Sequence, residues 1–332
     1  MNFTKIFKPS YLNLFLINFI KTSAEFDSNH IFVEENLNED FSKEKFQKYV
    51  KRNIEECTKN CMKNVNIKLN FMDMIVNRKL DEKAAAYCHL FCLKNLGLSN
   101  IKRNGRWAFF PIVGFSEFVS SLFAFLGLVL NIYIYHFRLS RLIKFSPLSF
   151  SIKLHYHVLN AAFFTSFMYH FNYNSFTRNA DYSTALFSIL VYTINSIKRI
   201  FLLYKINNVF SRNIMYGGIV IFVIYYNYMT FINFNAILNK LVIFFMVLVS
   251  NVCYIIIYFK KKNISNNDNK IMIRNLLTFS FLKYVSILFE VTDFPPVFYI
   301  IDSHALWHLG LFLSIGPYHG FQCKEIEILI KN

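Results

Sequence analysis

Residues 293–308 read Asp293-Phe-Pro-Pro-Val-Phe-Tyr-Ile-Ile-Asp-Ser-His-Ala-Leu-Trp-His308. His304 and His308 are four apart, so on a helix their rings share one face, one turn from each other. The flanks are apolar, which predicts a helix inside a membrane. Two inward-facing histidines there are costly without a purpose. Two readings stand at this point: a metal held between the rings, or a hydrogen-bonded pair linking two helices.

The rest of the chain has the composition of a membrane protein. Of 332 residues, 55% are hydrophobic, 19% aromatic and 17% charged, with forty Phe and twenty Tyr against nine Gly. The net charge of +16 is spread over loops between apolar runs. That distribution argues for membrane orientation and against nucleic acid as a partner.

Residues 1–24 have a basic start (Lys5, Lys8), an apolar run Tyr11–Ile20 and small residues up to Ala24. The run is short for a span. It reads as a secretory signal peptide cut near Ala24. Residues 25–106 are polar and carry four of the six cysteines, as two C-x3-C pairs: Cys57 with Cys61, and Cys88 with Cys92. Behind a signal peptide these predict a small lumenal helical domain with two disulfides. An antiparallel helix pair favours Cys57–Cys92 with Cys61–Cys88. Spacing alone leaves the connectivity open, and a zinc site on the four cysteines is the rival reading.

Residues 107–317 hold seven apolar segments, at 108–136, 149–170, 182–204, 214–234, 237–259, 272–292 and 297–316. Each is about as long as a spanning helix requires. The expected fold is therefore all-α: a polytopic membrane protein with seven transmembrane helices, a small N-terminal cysteine-containing domain and a cytoplasmic tail over 318–332. Basic residues cluster in alternate connections. Arg138, Arg141 and Lys144 follow the first segment, Lys198, Arg199, Lys205 and Arg212 lie in or beside the third-to-fourth connection, and Lys260, Lys261, Lys262, Lys270 and Arg274 surround the fifth-to-sixth. The positive-inside pattern puts these in the cytoplasm and the cysteine domain in a lumen.

With that orientation, Glu117, Asp181, Glu290, Asp293 and Asp302 all fall at or near lumenal helix ends, as do His170, His304 and His308. Ser166 shares a face with His170, four residues on. Asp181 falls at the expected start of the third helix, where it also reads as an N-cap. Three histidines from two helices suit a tetrahedral zinc with one position left for water. No Cys or Met joins the set, which disfavours metals that prefer soft ligands. His136, His155, His157 and His319 fall in the opposite half and read as interfacial.

These residues resemble a known family. Ser166-x3-His170, then Asp181, then His304-x3-His308 on seven helices is similar to the superfamily of membrane hydrolases and receptors that contains alkaline ceramidases and adiponectin receptors. Within it the chain looks most like the Per-one-like proteins, which remodel glycosylphosphatidylinositol (GPI) anchors. The stretches that carry the likeness are Gly105-Arg-Trp-Ala-Phe, Ser116-Glu117, Leu159-Asn-Ala, Ser166-Phe-Met-Tyr-His170, Asp293-Phe-Pro-Pro and Asp302-Ser-His-Ala-Leu-Trp-His308. The family's usual Glu-Pro is Glu117-Phe118 here. The resemblance implies a zinc-dependent hydrolase, a phospholipase A2 type, acting on the sn-2 acyl ester of the GPI lipid in the lumenal leaflet of the endoplasmic reticulum or Golgi. It implies Zn2+ on His170, His304 and His308, catalytic roles for Ser166 and Asp181, and supporting roles for Glu117 and Asp302. GPI-anchored proteins would be the partners. The alternatives are a non-catalytic seven-helix receptor or export chaperone, and a hydrolase of another lipid such as ceramide. The cysteine domain speaks against the last.

Overall fold

The computed structural model describes residues 43–69, 79–96 and 107–331, apart from 108, 110–111, 113–114, 174, 207, 230–235, 263 and 265. The expected signal peptide, residues 1–24, lies outside the described residues. Among these, nine helices carry the chain: α1 Lys43–Asn64, α2 Leu80–Asn95, α3 Phe118–Ile134, α4 Ser149–Phe171, α5 Ser175–Leu203, α6 Asn208–Asn227, α7 Ala236–Lys261, α8 Asn267–Thr292 and α9 Ser303–Lys331. Helical turns continue α3 as far as Phe145. The chain divides into two compact units. The first runs to Glu117 and includes Asp293–Ser303; the second holds Phe118–Thr292 and the chain from His304 onward.

In the first unit, α1 and α2 are cross-linked twice. Cys57 bonds Cys92 and Cys61 bonds Cys88, with Cα–Cα distances of 6.0 and 5.6 Å. This is the nested pairing expected of an antiparallel pair, and it leaves no free thiolate for zinc on these four residues. Among the described residues, the apolar interior between the helices is small: Val50, Ile54, Ala84, Leu90 and Leu93, closed by the fully buried Cys88 and Cys92. So little buried surface seldom holds two helices together without cross-links. Elsewhere in this unit, Trp107 donates its indole N–H to Asp293 Oδ1 at 3.0 Å. That bond joins two of the stretches that carry the family resemblance.

The segment after Asp293 departs from expectation. The seventh apolar run, 297–316, was expected to be helical throughout. Instead Val297 and Ile301 pair across a tight turn. Phe298 and Tyr299 sit at φ of 54° and 59°, a left-handed conformation that no right-handed helix accommodates. The helix therefore starts only at Ser303, directly after the buried Asp302. It then runs through Pro317 to Lys331, well past the expected end at 316.

In the second unit, the seven long helices α3 to α9 overlap the seven apolar segments. Four spans are long and apolar enough to cross a membrane: Phe118–Phe145, Phe176–Leu203, Leu238–Lys261 and Asn267–Thr292. Of the other three, α4 carries Lys153, His155, His157 and His170, and α9 ends in a charged stretch with Lys324, Glu325 and Glu327. Apolar side chains such as Phe125, Ile132, Val220, Ile221, Phe245, Val252 and Phe281 point outward. Polar ones point inward, the inverse of a water-soluble bundle. This is a multi-pass membrane protein.

α9 is the central strut. Tyr318, Phe321 and Ile328 pack it against Tyr192, Tyr254, Met272, Leu276 and Phe279 of α5, α7 and α8. Cys323 and Ile326 pack it against Tyr135, Leu139, Ile152 and Tyr156 on the α3–α4 side. Hydrogen bonds and ion pairs add direction to this packing, as expected where helices associate without water. Arg199 binds Glu325 at 2.8 Å. Asn131 donates to Asn160 at 2.7 Å and meets His319 Nε2 at 2.6 Å. Tyr318 OH lies 3.4 Å from His155 Nδ1. His155 and His319 are thus buried parts of the bundle, not the interfacial residues their positions suggested. At Gly310, α9 lies so close to α8 that a Cβ would sit 2.0 Å from Ser286 Oγ. Only glycine allows that approach.

Candidate metal centre

α4 ends at Phe171, so His170 lies in its last turn, and it is almost fully buried. α9 brings His304 and His308 in its first two turns, as their four-residue spacing requires. The three Nε2 atoms converge. His170 and His308 are 3.0 Å apart, His304 and His308 3.2 Å, and His170 and His304 3.3 Å. A tetrahedral zinc with Zn–N of about 2.0–2.1 Å sets its nitrogens roughly 3.3–3.4 Å apart. The triangle therefore fits such an ion closely, and these residues form a group that could hold a metal.

The proton arrangement points the same way. His304 Nδ1 meets Glu290 Oε2 at 2.6 Å, so the carboxylate holds the proton on Nδ1 and leaves Nε2 as a lone pair. A histidine ligand whose other ring nitrogen donates to a carboxylate is the usual support of a metal site. His308 Nδ1 is buried without a hydrogen-bond partner among the described residues, so its polar contacts are made through Nε2. One shared proton could satisfy two of the three nitrogens; a cation satisfies all three. Glu290 also approaches Lys240 Nζ at 3.9 Å, a long contact between partly exposed groups that adds little.

Among the expected site residues, the structure brings His170, His304 and His308 together directly. Ser166 is buried one turn before His170 on α4. Asp181 is not at the start of its helix: α5 begins six residues earlier at Ser175, so Asp181 is no N-cap. α5 packs against α4 close by. Thr184, three residues on, meets Thr165 Oγ1 at 2.6 Å, and Thr165 adjoins Ser166. Ser121 of α3 donates to the Phe167 carbonyl at 3.3 Å from the other side. Glu117 and Asp302 are both buried and belong to the first unit.

Glu290 is the addition. It stood in the sequence as one more acid near a helix end. Its position three residues before Asp293-Phe-Pro-Pro was the available signal. Its pairing with His304 joins α8 to α9, a contact between helices that the sequence does not announce. With a metal in place, Glu290→Gln keeps the shape of the side chain but weakens its hold on the imidazole proton. Metal retention against a competing chelator should fall about 10–100-fold. Retention equal to wild type would make the contact incidental.

The fold and site define a class: a helical multi-pass membrane protein with a buried three-histidine group braced by a carboxylate. The Per1-like family's sequence model matches residues 50–325, and the chain belongs to that family. A stretch of 53 residues is 40% identical to the Drosophila melanogaster protein "Post-GPI attachment to proteins factor 3". That stretch covers 16% of this chain and 16% of the relative. No solved structure matches.

Proposed function

We propose that this chain is a zinc-dependent acyl ester hydrolase that remodels GPI anchors, removing the sn-2 acyl chain of the GPI phosphatidylinositol. The observation that carries the reading is the triangle of three Nε2 atoms at 3.0–3.3 Å, with Glu290 fixing the tautomer of His304. Membership of the Per1-like family and the name of the Drosophila relative support the substrate. On this reading all seven long helices span the membrane. Residues 25–106 form the lumenal disulfide domain, 107–317 the hydrolase domain and 318–332 the cytoplasmic end. The protein works in the endoplasmic reticulum or Golgi membrane on GPI-anchored proteins.

Zinc, when bound, supplies a Lewis acid for an ester carbonyl and for water. The chain's own residues divide the remaining work. His170, His304 and His308 would hold the ion, and Glu290 keeps His304 in the tautomer that can ligate it. Ser166, one turn from His170, donates a hydrogen bond to the carbonyl oxygen as negative charge develops there. Asp181 takes a proton from the attacking water and returns it to the glycerol oxygen as the acyl C–O bond breaks. The products are a free fatty acid and a lyso-GPI. Glu117 and Asp302 serve structural or supporting roles.

The test compares GPI lipids by mass spectrometry in cells with the protein, without it, and with Asp181→Asn. Acyl removal should fall about 10²–10⁴-fold in the variant, while purified protein keeps its metal. Metal loss from Asp181→Asn would make Asp181 a ligand. Unchanged GPI lipids in cells lacking the protein would rule the function out.

A further inference from the structure

α7 ends at Lys261 and α8 begins at Asn267, and between these two candidate spans lies a pocket of about 380 Å³. Its rim carries Lys261, Lys262, Lys270 and Arg274, and its wall carries Ile273 and the half-exposed Leu277. Among the described residues none of the four cations makes an ion pair. Asp268, the nearest acid in sequence, binds Lys324 and Lys331 instead. Asn269 lines the pocket, is 4% exposed, and has an Oδ1 with no hydrogen-bond partner among the described residues. Positive-inside charge alone needs no cavity, no apolar wall and no buried unsatisfied acceptor.

We propose that this pocket binds the phosphorylated headgroup of an anionic phospholipid. The cations and the N-terminal end of α8 face the phosphate. Asn269 Oδ1 accepts a hydrogen bond from a headgroup hydroxyl, and Ile273 and Leu277 line the start of the acyl chains. Both helices are membrane spans that end here, so the pocket lies at headgroup level. Lys270 and Glu290 are separated by twenty residues of α8, about 30 Å of helix. The lipid therefore occupies the leaflet opposite the three-histidine group. Basic pockets between membrane helices are known sites for anionic headgroups. Nothing in the proposal requires the hydrolase reading to be right.

The experiment is native mass spectrometry of the purified full chain, equilibrated with mixed phosphatidylinositol and phosphatidylcholine. Wild type should retain phosphatidylinositol preferentially. Lys270→Gln with Arg274→Gln should lower that preference about thirtyfold. Lys205→Gln with Lys260→Gln, equal in charge loss but outside the pocket, should leave it unchanged. Inorganic phosphate at millimolar concentration should not displace the lipid. A second measurement needs no variant: phosphatidylinositol with a photoreactive group on its acyl chain should label wild-type protein within residues 258–278. Equal retention of both lipids would overturn the proposal. So would an equal loss in both double variants, which marks diffuse surface charge, displacement by phosphate, which marks a free-anion site, or labelling confined to other segments.

Discussion

His308→Ala should leave the purified protein without stoichiometric metal and reduce GPI acyl removal by at least about 10³-fold, a loss of several kcal/mol of transition-state stabilisation. The side chain is 5% exposed and makes its polar contacts through Nε2, to His170 at 3.0 Å and His304 at 3.2 Å. Removing it deletes one corner of the triangle and leaves two nitrogens on different helices, too few for a tightly held ion. Metal content by elemental analysis is the first measurement, because it does not depend on the substrate. Activity with anchors from cells follows. The abundance of the variant should stay near wild type, since the core of α9 is formed farther along, by Tyr318, Phe321 and Ile326. A variant that keeps one metal per chain would show that the ion is held by other groups. A variant without metal that still releases lyso-GPI would separate the site from the chemistry.

The second large effect is on stability. The bridges of the N-terminal unit are nested, with separations of 35 residues for Cys57–Cys92 and 27 for Cys61–Cys88. In the loop-entropy picture the inner bridge alone contributes about 3–4 kcal/mol. Once it is closed, the outer bridge restrains only the short stretches beyond it and adds about 2–3 kcal/mol. Cys57→Ser with Cys92→Ser should therefore leave α1 and α2 folded but easier to open. Replacing all four cysteines should unfold the pair, whose apolar interior is a handful of side chains. Limited proteolysis of the full chain reads this directly, as cleavage within 43–95. Equal resistance in both variants would mean that packing, and not cross-linking, holds the pair.

Much of this was legible in the sequence, for reasons visible at particular residues. The spacing of His304 and His308 fixed a common face, and His170 stood at the same depth on another apolar segment. Two C-x3-C pairs on two helices favoured the nested pairing for an antiparallel arrangement, and the spacing left the choice to the fold. Segment lengths found the seven long helices. What escaped was set by contacts distant in sequence. The partnership of Glu290 with His304 joins two helices, α8 and α9, and no periodicity within either one announces it. α5 begins before Asp181 because the polar stretch after Ser175 continues the helix of the apolar run. His155 and His319 looked interfacial because their partners, Tyr318 and Asn131, come from other helices. The seventh apolar segment ended at 316, yet α9 runs on through Pro317 to Lys331, held on both sides by the two apolar clusters.

The tight approach of α9 to α8 at Gly310 and Ser286 has a mechanical consequence. Glu290, His304 and His308 sit on one stiff pair of helices, while His170 sits on α4. An ion shared among them acts as a rivet between two bodies. Metal supply and the tightness of that seam then become a single variable, because an ion that binds only the assembled form stabilises it. A chain starved of metal would be looser at that seam as well as inert, while the packing around Tyr318, Phe321 and Ile326 keeps the rest of the bundle folded.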